Sequence, residues 1–200
     1  KEECVKAIEA GIEIVDGLVK KGYDMFGTGE MGVCNTATSS AVLSVLKNLP
    51  VDMTVGKGSG ITDSQFDAKK EAVRRAIAVN EPDSNDPIDT LSKVGGFDIA
   101  GICGCFLGAA KNRMPIVIDG FISAVAALCA FRLNRKVVDY IFASHLSAEP
   151  AIKYVMKELG LNPMLNLGMR LGEGSGCPMA FEIIEAALYV MDNMGSFDEA

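Results

Sequence analysis

Residues 23–36 read YDMFGTGEMGVCNT. A short apolar run, Tyr23–Phe26, ends in a glycine-rich turn and then gives way to a helical pattern. Strand, tight loop and helix in that order open a parallel α/β unit. Gly27, Gly29 and Gly32 also have the G-x-G-x-x-G spacing of dinucleotide-binding loops, and Asp52 lies about twenty residues on, where a ribose-binding carboxylate is expected. Glu30 argues against a dinucleotide. A pyrophosphate lies against backbone N–H groups at a helix N-terminus, and a carboxylate inside that loop repels it.

Outward from this stretch the alternation continues. Val5, Ile8, Ile12, Val15 and Val19 recur at helical steps, predicting a helix over 2–20 that Gly22 ends. Asn35 or Thr36 caps a helix through TSSAVLSVLKNL, stopped by Pro50; after the loop VGKGSG (55–60), Asp63 caps another that runs to about Val79. NEPDSNDP (80–87) is turn chemistry, and 88–111 reads as a helical region whose Gly, Ala and Cys content suits close packing. PIVID (115–119) predicts a strand buried on both faces, DYIFAS (139–144) another, and MLNLGMR (164–170) a short further one. Helices are expected through FISAVAALCAF, from Pro150 to Gly160, and over 179–194. The class is therefore α/β with a parallel sheet, and ligands belong at the carboxyl ends of its strands. No repeat or linker divides the chain.

The composition is that of a globular protein, 49% hydrophobic and 22% charged, with net charge −7 and no basic block. Nucleic acid and anionic membrane need clustered Lys and Arg, so neither is an expected partner. Six cysteines with one C-x-C pair, Cys103 and Cys105, and a single histidine do not make a zinc pattern, so no metal is expected. Reduced thiols packed as small core residues fit a cytoplasmic protein. The apolar runs 97–110 and 116–131 each carry an aspartate and fall short of the ~18 residues of a membrane span. Because Lys1 opens directly into a helical pattern, the chain is expected to be a fragment of something longer.

Several residues are candidates for chemistry. Glu30 in GTGEMG and Glu173 in LGEGSG sit in matching glycine-flanked loops after expected strands. There an acid can act as a general base or hold sugar hydroxyls, or simply be a solvated loop acid. Gly58 and Gly60 offer backbone donors beside Lys57, with Lys69 and Lys70 on the next helix; that makes a phosphate cradle or a set of exposed charges, but not a Walker A loop. Asp119 ends the PIVID strand, as a functional acid or a helix cap. His145 lies near Ser144, Ser147 and Glu149, but no serine has the G-x-S-x-G setting of a hydrolase nucleophile, so His145 reads as structural or substrate-orienting.

Taken in order, TGEMGVCNT, VGKGSG with its trailing DAKK, VGGFDIAGICG, PIVIDGFISAVAAL, ASHLSAEP and LGMRLGEGSG resemble the nicotinate-nucleotide–dimethylbenzimidazole phosphoribosyltransferase family, over essentially the whole chain. The resemblance implies a Rossmann-like three-layer domain with part of a smaller helical domain built from both chain ends. It also implies a homodimer and transfer of 5-phosphoribosyl from nicotinate mononucleotide to a benzimidazole-type base without cofactor or metal. In that family's terms Glu173 is the general base. Glu30 with Gly32 contacts the ribose and nearby phosphate region, Gly58, Gly60 and Lys69 hold the 5′-phosphate, and Asp119 and Ser147 fall at or near the active site. Cys177 stands where many relatives have a small apolar residue, and no segment here matches the family's N-terminal region. Alternatives left open are a paralogue activating adenine or a phenol, an NAD-dependent oxidoreductase, and a non-catalytic nucleotide-binding fragment.

Overall fold

Ile116, Val117 and Ile118 are 0%, 0% and 1% exposed, and this run sets the architecture of the computed structural model, which describes residues 1–58 and 60–195. Ile116 and Ile118 join the main core, while Val117 joins a separate small cluster with Cys177 and Ala180. Successive strand side chains face opposite ways, so helices cover both faces of the sheet and three layers result. The three residues form β2 (Ile116–Ile118), the middle of a parallel sheet ordered β1 (Phe26–Gly27), β2, β3 (Ile141–Ala143). Phe26 is in register with Ile116, which pairs in turn with Ile141.

The helices are α1 (Glu2–Lys20), α2 (Asn35–Lys47), α3 (Val51–Thr54), α4 (Asp63–Asn80), α5 (Pro87–Val94), α6 (Phe97–Asn112), α7 (Phe121–Leu133), α8 (Ile152–Leu159) and α9 (Cys177–Asn193). Cys4 and Ile8 of α1 join residues of α2, α5, α6, α7 and α8 in the main core, and α9 covers the other face through Cys177, Ala180 and Phe181. Close packing in the 88–111 region is realised between α1 and α6, where Gly104 lies against the Ile8 carbonyl with no room for a Cβ. That region is two helices rather than one, parted at Gly95–Gly96. Among the described residues no helix is long and apolar enough to cross a membrane.

Several boundaries differ from expectation for local reasons. Tyr23 is exposed, and pairing starts only at Phe26, where the chain reaches the edge of β2. A 3₁₀ helix, Arg135–Tyr140, occupies the start of the DYIFAS stretch, with the Asn134 side chain accepting from Lys136 N. MLNLGMR is not a strand: Leu165 alone bridges to His145 before Gly168 turns the chain with φ +66°. Thr62, not Asp63, caps α4, because Gln65 completes a reciprocal capping box with it. At α2 the cap position falls on Cys34.

Candidate active site

The carboxyl ends of the strands open into a cleft of about 530 Å³. Its walls come from the β1–α2 loop (Glu30 to Thr36), from Gly58, from the start of α7, from Ser147 and Glu149 after β3, and from the Arg170–Glu173 segment. This is where a parallel α/β sheet places its ligands.

The G-x-G-x-x-G glycines serve contacts within the protein. Gly27 packs on Cys177 without space for a side chain, and a Cβ on Gly29 would lie 2.7 Å from Gly174 N. One at Gly32 would lie 2.8 Å from the Asn35 side chain. The spacing thus lets two loops touch, bringing Glu30 and Glu173 to one cleft. Asn35 Nδ2 donates to Glu30 Oε2 and lies 3.3 Å from Asp98 Oδ2. Burial pushes the Glu30 carboxyl above its ordinary range; the Asn35 hydrogen bond opposes this, and the charges of Asp98, Asp119 and Glu173 add to it.

Glu173 is placed by its backbone. Its φ is +59°, between Gly172 at +77° and Gly174 at +79°, a left-handed run unusual for a glutamate. Asp119, 2% exposed, holds this run from below: Gly174 N donates to Oδ2 at 3.0 Å and Gly176 N to Oδ1 at 2.7 Å. Asp119 therefore does not cap α7, whose N-cap, Gly120, makes no side-chain cap bond; its carboxylate sits at the N-terminus of α9, where the helix dipole favours an anion. Ser144 Oγ donates to the Asp119 carbonyl at 3.1 Å and neighbours His145 Nδ1 at the same distance. Burial lowers the His145 pKa below 6.5, with Asp119 pulling the other way, so the buried imidazole is neutral at neutral pH. It is a structural residue under the loop. Burial likewise raises the Cys177 thiol to about 12, making it a packing group.

The expected phosphate residues are distributed less simply. Gly58 lines the cleft with φ +64°, but its N–H already donates to Glu149 Oε1 at 2.8 Å. Lys69 Nζ donates to Thr36 Oγ1 at 2.9 Å and to the Gly56 carbonyl at 2.8 Å, behind the Thr36–Gly58 wall. Gly60 is not among the lining residues, Lys57 pairs with Asp63 at 2.7 Å, and Asp52 binds Arg74 at 2.6 Å rather than reaching a ribose position. Ser147 lines the cleft and accepts from Glu149 N at 3.3 Å. Sequence alone points to no site role for Asn35, Asp98 or Arg170; Arg170, on the cleft wall three residues before Glu173, lies within the LGMRLGEGSG motif. No group of three or more His, Cys, Asp or Glu among the described residues could hold a metal ion, and all six cysteines are free.

Comparison with known proteins places the chain in a family. The family described as Phosphoribosyltransferase matches residues 1–200. A nicotinate-nucleotide–dimethylbenzimidazole phosphoribosyltransferase of Clostridium tetani is 62% identical over 200 residues, covering 100% of this chain and 55% of that protein. Its counterpart in Clostridium acetobutylicum is 58% identical, again over the whole chain and 57% of the relative. The chain thus spans a little over half the length of the curated relatives it matches. The crystal structure of CobT from Thermus thermophilus superposes with TM-score 0.93 at 34% identity, over 99% of this chain and 59% of that one. With a match running from its first residue to its last, the chain belongs to the phosphoribosyltransferase family that includes the nicotinate-nucleotide–dimethylbenzimidazole enzymes.

Proposed function

We propose that this chain carries the reaction centre of a phosphoribosyltransferase that moves 5-phosphoribosyl from nicotinate mononucleotide to 5,6-dimethylbenzimidazole. The products are nicotinate and α-ribazole 5′-phosphate. The observation that carries the reading is the convergence of Glu30 and Glu173 on one cleft at the carboxyl edge of the sheet. The bond from C1′ to the pyridinium nitrogen breaks, and its electron pair returns to the nicotinate ring, a leaving group activated by its own positive charge. A benzimidazole nitrogen attacks C1′ from the opposite face, which inverts the anomeric centre. Its ring N–H proton passes to the Glu173 carboxylate. Glu30, with Gly32, holds the ribose; Gly58 and, from behind the Thr36–Gly58 wall, Lys69 hold the 5′-phosphate, while Gly60, which does not line the cleft, takes no part; Asp119 and Ser147 support the site. Beyond these groups the protein supplies orientation, without metal or cofactor.

Met31 and Leu171, on the cleft wall, are 84% and 68% exposed, an apolar lip suited to a flat aromatic base. Leu188, Tyr189, Val190 and Met191 of α9 are also exposed. We assign this end of α9 to the smaller helical domain of a cytoplasmic homodimer, completed by segments outside this chain. The dinucleotide reading is disfavoured because the Gly27 and Gly29 surfaces are taken up by Cys177 and Gly174. Titration calorimetry with nicotinate mononucleotide, NAD and free bases tests the proposal. Heat from the mononucleotide at lower concentrations than from NAD is expected; preference for NAD would overturn it.

A further inference from the structure

We infer that Glu149 is a positioning residue for the phosphate subsite: its carboxylate fixes the Gly56–Gly58 loop and supplies the negative charge that faces Lys69. The inference rests on the reading of Lys69 given above. Glu149 lies in the ASHLSAEP segment, just before Pro150, and is 9% exposed. One carboxylate oxygen, Oε1, takes the Gly58 N–H at 2.8 Å. The other, Oε2, lies so close to Gly56 that any Cβ there would overlap it, and it has no hydrogen-bond partner among the described residues. A buried carboxylate left half satisfied needs compensation from a nearby positive charge. Lys69 is placed to give it, because its Nζ donates to the carbonyl of the same Gly56. The lysine and the glutamate therefore hold the loop two residues apart, at the Gly56 carbonyl and the Gly58 N–H.

The surroundings of Lys69 isolate this pairing. Its other contact is the Thr36 hydroxyl of α2. Asp52 of α3 and Asp67 of α4 are engaged by Lys70, and Asp52 also by Arg74. On α5, Asp89 pairs with Lys1 and Lys93. Glu149 is the carboxylate that acts on Lys69; burial pulls the lysine pKa below its ordinary value, and Glu149 works against that pull. A phosphate-holding lysine must carry its proton. Glu149 thus keeps the loop in shape and the ammonium charged, without needing to touch the ligand.

Glu149→Gln in a complete enzyme containing this segment separates these effects, since a glutamine oxygen still accepts from Gly58 N–H while the charge is gone. Two readouts are used: the titration of Lys69 by ¹³Cε chemical shift, and the affinity for inorganic phosphate and nicotinate mononucleotide between roughly pH 7 and 10, a window set by the ordinary lysine pKa. The Lys69 midpoint should fall, and the alkaline loss of phosphate affinity should move down with it, about tenfold in affinity per unit at the steep part of the curve. Glu149→Asp, one methylene shorter, keeps the charge and gives up the Gly58 contact; there the titration should hold and the affinity drop, which keeps the test open if the glutamine variant does not fold. An unmoved Lys69 midpoint in Glu149→Gln overturns the inference. So does tighter phosphate binding, which would make Glu149 a competitor for the Gly58 N–H. A wild-type enzyme that binds neither phosphate nor mononucleotide would sink the reading of Lys69, while the titration would still decide the link to Glu149.

Discussion

Glu30 and Glu173 enter the same cleft from loops whose backbones touch, and the two are controlled by opposite means. Glu30 is half-buried and set through its side chain: Asn35 donates to it, and its surroundings disfavour the charge it carries. Glu173 is exposed and set through its backbone, a left-handed turn locked by Asp119 from 54 positions away in sequence. Left-handed φ on a non-glycine residue costs roughly 1–3 kcal/mol and persists only where the surroundings impose it. On the proposed mechanism the contrast fits a division of labour, with Glu30, tuned by its neighbours, holding the ribose and Glu173, aimed by its backbone, taking the proton.

The sharpest way to break that comparison is to neutralise each acid in a complete enzyme containing this segment. Glu173→Gln should lower the single-turnover rate by ~10²–10⁴ and leave the affinity for nicotinate mononucleotide near that of wild type. Glu30→Gln should show the larger binding defect, with a secondary loss of rate through misalignment. Near-normal values for both variants would mean that the two are solvated loop acids, and a reactive Glu173→Gln enzyme would end the proposed mechanism.

A smaller effect is expected one step back, at Asp119. Asp119→Asn presents an amide to two backbone N–H groups and can accept from only one of them without repulsion. The loop should loosen, lowering kcat by about tenfold to a hundredfold while KM for the mononucleotide changes little, because Glu173 is misplaced rather than removed. Stability should fall by about 1–3 kcal/mol, the range for leaving a buried donor unsatisfied, as read by urea unfolding. A variant with normal kcat and reduced stability would confine Asp119 to the fold and detach the aim of Glu173 from it.

Much of this is legible in the residues. PIVID announces β2 because a strand covered on both faces needs an unbroken apolar run, and both glutamates stand out by their glycine flanks. What escapes is long-range. No local pattern tells that Asp119 serves Gly174 and Gly176 rather than the helix beginning two residues later. Asn35 reads locally as a cap, yet its amide serves Glu30; the Gly58 N–H reads as a free donor, yet a carboxylate 91 residues on holds it. MLNLGMR has strand composition, but Gly168 turns it after one bridge. Such partners are set by the meeting of loops at the sheet edge, which local periodicity does not record.

The smallest effect separates the two glutamates by pH rather than by rate. The folded chain raises the pKa of Glu30 above 4.5, so it holds that proton more tightly than the unfolded chain does. Between 4.5 and the raised folded value the folded state therefore binds more protons, and stability falls as pH rises through that window. Below the window the carboxyl is neutral in both states and the penalty vanishes; above it the penalty is constant. Glu30→Gln removes the charge while a glutamine oxygen can still accept from Asn35. The variant should thus match wild type in acid and exceed it at neutral pH, by about a few tenths of a kcal/mol, since a half-exposed carboxylate is partly screened by water. Glu173→Gln, altering an exposed side chain, is measured alongside as the second variant. Urea midpoints of the three proteins at acid and neutral pH supply the measurement. A gap between wild type and Glu30→Gln that is the same at both pH values would mean that packing, not charge, sets the cost, and that the surroundings of Glu30 do not tune its carboxyl.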